Sequence, residues 1–499
     1  LNRMEQQQEQ HHRRRRAWLA AIASSCLALC ACALQPPYQA PKVVEATGWQ
    51  AELPHGGSVE NLVDWWRRFD DPAVAELIRT AEADSPSLAK AVARIDDARA
   101  TLTSDSSGAW PSLTGSGSVT RAKSSVSFGN EVFTSETTTR SGELDASWEL
   151  DLFGKVRSAR QSSQAQLQAR IDDWHDARVS LAAEVADDYV QYRACRQLVS
   201  ADEESAASYA HTEKATLAAV DAGMTPASDG YLAQANTASA NASATQQRVT
   251  CEELIKSLVE LTGASEAALR AIVDRPQAPA LPQPEGFRVQ SAPADLVRQR
   301  PDLASSERAL AAAYASIGKA RADRFPSLSL SGSIGLSASN LTTPMSTWSF
   351  GPSLSVPLFD AGKRKAAVDS AQASYDEQLA SYRSSVRTAV KEVEVALADL
   401  DGAARRSDDA RRAVEQYRRY DSAMETNWRT GFDTLLTREQ ARRSLTSAEI
   451  TDIELQRDRV RNWISLYKAL GGGWQGNDAV LPVAGTTATT PATTQGTIQ

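Results

Sequence analysis

Acidic residues recur at alternate positions through GELDASWELDLF, where Glu143, Asp145, Glu149 and Asp151 fall on one parity and Leu144, Ala146, Trp148, Leu150 and Leu152 on the other. Period two marks a half-buried strand with one acidic and one apolar face. Other reactive residue types are sparse. The histidines are His11, His12, His55, His175 and His211, and no two have metal-ligand spacing. The chain contains no GxGxxG after a strand and no GxxxxGK phosphate loop. Gly471 to Gly473 follow a helical run and read as its stop. Neither a catalytic group nor a metal or cofactor is expected. Beyond the N-terminal region the cysteines are Cys195 and Cys251, each 28 residues from Gly223 on opposite sides.

The elements that carry these residues follow from an internal repeat. Ser85-Pro86-Ser87-Leu88 has its counterpart in Arg300-Pro301-Asp302-Leu303, and Trp110-Pro111-Ser112-Leu113 in Phe325-Pro326-Ser327-Leu328, both at an offset of 215. Leu152-Phe153 matches Leu358-Phe359 at 206, while Gly223 and Ala233 match Gly431 and Ala441 at 208. Between these markers each copy holds two alternating segments, about 111–152 and 326–358. In the second, Leu328, Leu330, Ile334 and Leu336 alternate with serines, and the apolar set resumes at Trp348, Phe350, Leu354, Val356 and Leu358. Each copy therefore reads as one hairpin of strands about 10 residues long, enough to cross a bilayer when tilted. Four strands cannot close a barrel and lipid does not tolerate an open edge, so the barrel must be shared between chains. A soluble sandwich edge is the alternative, but these Gly- and Ser-rich strands would make a poor dry core.

Proline-free helical runs follow each hairpin, at about 155–222 and 363–430, and each would extend about 100 Å. Leu379, Tyr382, Val386, Ala389, Val393, Ala396 and Leu400 keep a three-four spacing, a coiled-coil seam. Gly223 and Gly431 end these helices, and returning helices are expected at about 227–262 and 435–470. On antiparallel helices Cys195 and Cys251 sit at nearly one height, and an oxidising compartment would allow a bridge there.

The address is at the N-terminus. Four arginines at 13–16 and an apolar run from Ala17 to Ala31 read as a secretory signal covering 1–31. Cys32, with Leu29 at minus three and Ala31 at minus one, is the expected lipidation site. Removing that segment takes five arginines and two glutamates and moves the formal charge from −8 to −11. An acidic chain without clustered cations is a poor nucleic-acid partner.

These features resemble the TolC-like outer membrane factors, in the NodT-type lipoprotein branch that serves resistance-nodulation-division (RND) pumps. The resemblance spans essentially the whole mature chain. It rests on Cys32-Ala-Leu-Gln-Pro-Pro-Tyr38, Asp64-Trp65-Trp66 through Phe69-Asp70-Asp71-Pro72, Ser147-Trp-Glu-Leu-Asp-Leu-Phe-Gly154, Pro293-Ala-Asp-Leu-Val-Arg298, Phe359-Asp-Ala-Gly362 and Leu466-Tyr-Lys-Ala-Leu-Gly-Gly-Gly-Trp474. It implies a mainly helical fold with a membrane β-barrel part: a homotrimer with a twelve-stranded barrel in outer membrane lipid and a twelve-helix periplasmic tunnel. It implies a passive channel, not an enzyme, joined by a periplasmic adaptor (membrane fusion protein) to an inner-membrane RND pump. Residues 32–290 and 291–476 would be the two repeats and 477–499 a disordered tail. Trp428, Arg429, Asp433 and Leu436 match the family's periplasmic gate, with Arg429 and Asp433 in inter-helix links and Leu436 in an apolar constriction. Gln440 stands where close relatives carry aspartate. Gly223, Ala227, Asp229 and Gly431 match the adaptor-contacting tips, although Pro226 and Gly230 depart from the usual residues. The four alternating acids would line the lumen and favour cations. A protein-secretion channel and a pore-free coiled-coil envelope lipoprotein are the alternatives.

Overall fold

The computed structural model describes residues 36–41, 66, 69, 71–129, 131–275, 281, 299–340 and 342–474. The signal at 1–31, Cys32 and the tail at 477–499 lie outside the described residues, as do most residues between the two repeats. In chain order the elements are helices α1 (Pro72–Asp84) and α2 (Pro86–Ser107), strands β1 (Ser112–Phe128) and β2 (Glu131–Leu150), helices α3 (Lys155–Asp221), α4 (Ala227–Thr262), α5 (Glu266–Val273) and α6 (Pro301–Ala322), strands β3 (Ser327–Ser339) and β4 (Met345–Ser355), and helices α7 (Lys363–Arg429) and α8 (Leu435–Ala469). The series α2-β1-β2-α3-α4 recurs as α6-β3-β4-α7-α8. The repeat in sequence is a repeat in space.

The strands form one antiparallel sheet in the order β1-β2-β3-β4. The expectation of strands near 10 residues falls short for the first hairpin, in which β1 has 17 residues and β2 has 20. Residues 120–140 are mostly polar and read as a loop, yet they stay in the ladder up to Phe128↔Glu131. Cross-strand polar pairs support them, including Arg121 donating to Glu136 at 2.6 Å.

The helices also depart from a simple pair of hairpins. The descending helices α3 and α7 have 67 residues each, but the returning α4 and α8 have only 36 and 35. At 1.5 Å per residue the returns cover about half of a 100 Å column. Helices α2 and α6, 22 residues each, occupy the strand-proximal half. Ser162 of α3 donates to the Ala312 carbonyl of α6 at 3.0 Å, and Ser163 donates to Asp105 of α2. Farther down α3 packs on α4 and α8. Four columns result: α2 above α4, then α3, then α6 above α8, then α7.

Where the stacked helices meet, α1 and α5 pack against the columns and thicken the molecule around its main core. Phe69, Val74, Leu77, Val185, Tyr189, Ile255, Leu258, Leu269 and Val460 are fully buried there. Asp71 caps α1 through a 3.0 Å bond from the Ala73 amide, and its other oxygen accepts the Tyr189 hydroxyl at 2.5 Å. Trp66 stacks on Phe69 and meets Tyr467 edge-on at 4.7 Å. The Trp66 to Pro72 motif is thus a clasp that binds α1 to α3 and α8.

Candidate functional site

Strand register decides what the two faces of the sheet present. Leu150 pairs with Leu328 and Leu328 with Leu354; Leu144 pairs with Ile334 and Ile334 with Trp348. Leu113, opposite Ala146, extends this apolar face to β1. On the other face Thr114, Asp145, Ser333 and Ser349 line up in one row, and Ser112, Ser147, Ser331 and Gly351 in the next. The eight residue-to-residue steps from Leu328 to Leu336 span about 26 Å along the strand, the height of a hydrocarbon band. Trp148 lies at the helix-proximal edge of that band, its indole N–H donating to the Ala109 carbonyl at 3.1 Å. Among the described residues both outer edges, on β1 and β4, have no partner strand.

The four acids separate by environment. Glu143 and Asp145 are exposed on the hydroxyl-rich face. Glu149 faces Lys155 at 3.5 Å, and Lys155 also reaches Asp323 at 3.3 Å. Asp151 is past the end of β2, and its carboxylate accepts from the Val156 and Arg157 amides at 3.1 and 2.8 Å. Gly154 has no side chain with which to cap α3, so Asp151 satisfies the first-turn amides instead. Asp360 repeats this at α7, accepting from the Gly362 and Arg364 amides at 3.0 and 3.2 Å. The expectation of Asp151 as a fourth strand-face acid is therefore corrected: it is a helix cap.

At the opposite end both bends are built alike. Gly223 and Gly431 have φ of +69° and +77°, a region that costs other residues about 1 kcal/mol or more. The next amide bonds back five residues, Met224 to the Ala219 carbonyl and Phe432 to Asn427, both at 2.8 Å. Met224 and Phe432 are 81% and 87% exposed. Both were missed in the sequence, where the available signal was a large apolar residue directly after each helix-ending glycine. Ala227 opens α4, and Asp229 in its first turn accepts the Thr225 hydroxyl at 2.6 Å.

The matched gate residues lie around the second bend. Arg429 donates to Glu425 on its own helix at 2.8 Å, and Asp433 accepts the adjacent Thr434 amide. Within the chain these two residues do not meet. Next to the bend the inter-helix link is made by Glu425 and Arg438, at 2.6 Å, and farther along Arg418 of α7 donates to Glu449 of α8 at 3.0 Å. Arg438 also lies 5.1 Å from the Trp428 ring centre and donates to Glu439 at 2.6 Å. Glu439, only 1% exposed, accepts the Ser208 hydroxyl of α3. A polar chain from Arg429 through Glu425, Arg438 and Glu439 to Ser208 thereby ties α7, α8 and α3 together. Although its surroundings disfavour charge, Arg438 and Arg429 hold the Glu425 carboxyl below its ordinary pKa. Leu436 and Gln440 are exposed, Gln440 beside Tyr417 and Arg443 in an open groove between α7 and α8.

Higher up, Cys195 and Cys251 are joined, with Cα atoms 5.7 Å apart, fastening α3 to α4. Among the described residues no group of His, Cys, Asp or Glu could hold a metal ion, and no helix is long and apolar enough to cross a membrane.

The family model for "Outer membrane efflux protein" matches residues 77–264 and 292–472, one match per repeat. The antibiotic efflux pump outer membrane protein ArpC of Pseudomonas putida is 31% identical over 471 residues, covering 91% of this chain and 96% of the relative. Nodulation protein T of Rhizobium leguminosarum bv. trifolii is 29% identical over 473 residues, covering 90% and 96%. The solved outer-membrane channel OprN superposes with a TM-score of 0.73 at 28% identity, covering 88% of this chain and 99% of that one.

Proposed function

This chain belongs to the outer membrane efflux protein family and is the outer-membrane channel of an efflux system; we propose that it works as a homotrimer, as follows. Three four-stranded sheets close into a twelve-stranded barrel, and the columns beneath them continue it as a periplasmic tunnel. The observation that carries this reading is a sheet with one apolar face, one hydroxyl face and two open edges. Such a sheet has no stable place in water or lipid until the edges are joined in a ring. The apolar face meets lipid, and the hydroxyl face lines a water-filled lumen.

The channel is a conduit for small molecules, drugs among them, and holds no energy source. Force comes from an inner-membrane RND pump, coupled through a periplasmic adaptor that meets the tips at Gly223, Ala227, Asp229 and Gly431. Met224 and Phe432 add an apolar contact there. Leu436 narrows the periplasmic end, with Trp428, Arg429, Asp433 and Gln440 around it. An acyl group on Cys32 anchors each chain in the membrane's inner leaflet.

Reconstitution into planar bilayers should give discrete conductance steps, and deleting the gene should raise drug susceptibility only when the neighbouring pump is present. A purified trimer without conductance would sink the proposal.

A further inference from the structure

The base of the sheet contains an aromatic contact whose repeat counterpart is incomplete in one chain. Phe153, just past β2, stacks on Phe325, just before β3, with ring centres 4.9 Å apart and planes 20° from parallel. The register explains the meeting: Leu150 pairs with Leu328, and three further residues on each side bring Phe153 opposite Phe325. Both belong to the internal repeat. The counterpart of Phe153 is Phe359, past β4, and the counterpart of Phe325 is Trp110, before β1. These are the two open edges of the sheet, and the counterparts are 91% and 75% exposed.

We propose that Phe359 of one copy stacks on Trp110 of the partner subunit, closing at each seam of the ring the contact that Phe153 and Phe325 make within the chain. This rests on the homotrimeric reading above and specifies its interface. Applying the repeat offsets to the β2–β3 register places Val356 beside Leu113 of the partner subunit, three residues short of the aromatic pair. Val356 has the parity of Leu354, which shares a face with Leu328, Leu150 and Leu113. The seam then continues the apolar face against lipid and the hydroxyl face against water, whereas a register shifted by one residue would exchange them. Stacking at the seam also gives two large exposed rings a partner at the boundary between strands and helices.

Cross-linking in membranes under non-reducing conditions tests this. The double variant Trp110→Cys with Phe359→Cys, treated with a short bis-maleimide, should give covalent dimers and trimers. Each single variant should remain monomeric on the same gel. The intrachain control, Phe153→Cys with Phe325→Cys, should give a monomer of altered mobility and no ladder. If the control reacts and the native trimer is intact while the seam pair yields only monomer, the proposed contact is wrong and the trimer stands. A wild-type chain that is not trimeric would overturn both. A second readout separates stacking from two independent interfacial anchors. The combined Trp110→Ala and Phe359→Ala variant should lower the trimer dissociation temperature no more than the worse single variant. A shift equal to the sum of the singles would overturn the contact.

Discussion

Glu143 and Asp145 have no ion-pair partner among the described residues, whereas Glu149 is opposite Lys155 and Asp151 caps α3. Charge that is already compensated contributes little field to a lumen, so the two free acids should set ion preference. Glu143→Gln with Asp145→Asn is expected to move the reversal potential of a salt gradient most of the way to zero, and Glu149→Gln to move it little. An equal effect of both changes would contradict this division. Asp172, in the periplasmic part of α3, behaves differently. Burial, with smaller contributions from Asp173 and Glu307 against the opposing Arg308, pushes its carboxyl up to about 6 from 3.8. A raised acid pKa means that the folded chain binds the proton more tightly than the unfolded one, so stability falls as pH rises from about 4 to 6. Melting should therefore occur at a lower temperature at pH 7.5 than at pH 5, and Asp172→Asn should flatten that slope. The alternation that exposes the acids was legible from side-chain period alone. The capping role of Asp151 was not, because it depends on where the strand yields to the helix.

The long helices could be read because seams and terminal glycines leave local marks. Helices α2 and α6 left only a weak one, since alanine-rich turns such as AKAVARIDDARA carry no sharp apolar stripe; Pro86 and Pro301 at their first positions were the available sign. The second bend shows a similar limit. The bend was found from Gly431, but the α7–α8 link beside it runs through Glu425 and Arg438, residues with no distinguishing spacing. Glu439→Ala would remove the buried acceptor that Arg438 and Ser208 share while Arg438 keeps Glu425, and losing these charge-assisted hydrogen bonds costs about 1–3 kcal/mol. That variant should open more often in planar bilayers, while Glu204→Ala, on an exposed pair with Arg442, should change opening little. Because the Glu425 pKa is lowered in the fold, its stabilising link is present above the ordinary value of 4.5 and lost as pH falls through the lower folded value. Opening should accordingly increase in that acid range. The bridge between α3 and α4 closes a loop with a sequence separation of 56, for which chain entropy suggests about 4 kcal/mol. Replacing both cysteines with serine should lower the melting temperature, and reductant should bring the wild type to the same value.

At the scale of the molecule, the duplication was the most legible feature, and it fixes the arrangement: two repeats give an even number of strands and two matching pairs of columns, each pair one continuous helix and one stacked column. Which bend carries the buried polar chain was not legible from the repeat itself, because both bends end in the same glycine geometry and diverge only in the residues that follow, with Pro226 before α4 and Thr434 before α8. The hydroxyl face of the sheet has a kinetic consequence. Serine and threonine in neighbouring rows offer a solute many weak, interchangeable hydrogen bonds, each close in strength to those it gives up to water. No position along such a wall is a deep energy well, so a passing molecule has little reason to dwell. Flux through an open barrel should then rise in proportion to concentration without saturating, and two unlike solutes should traverse it without competing.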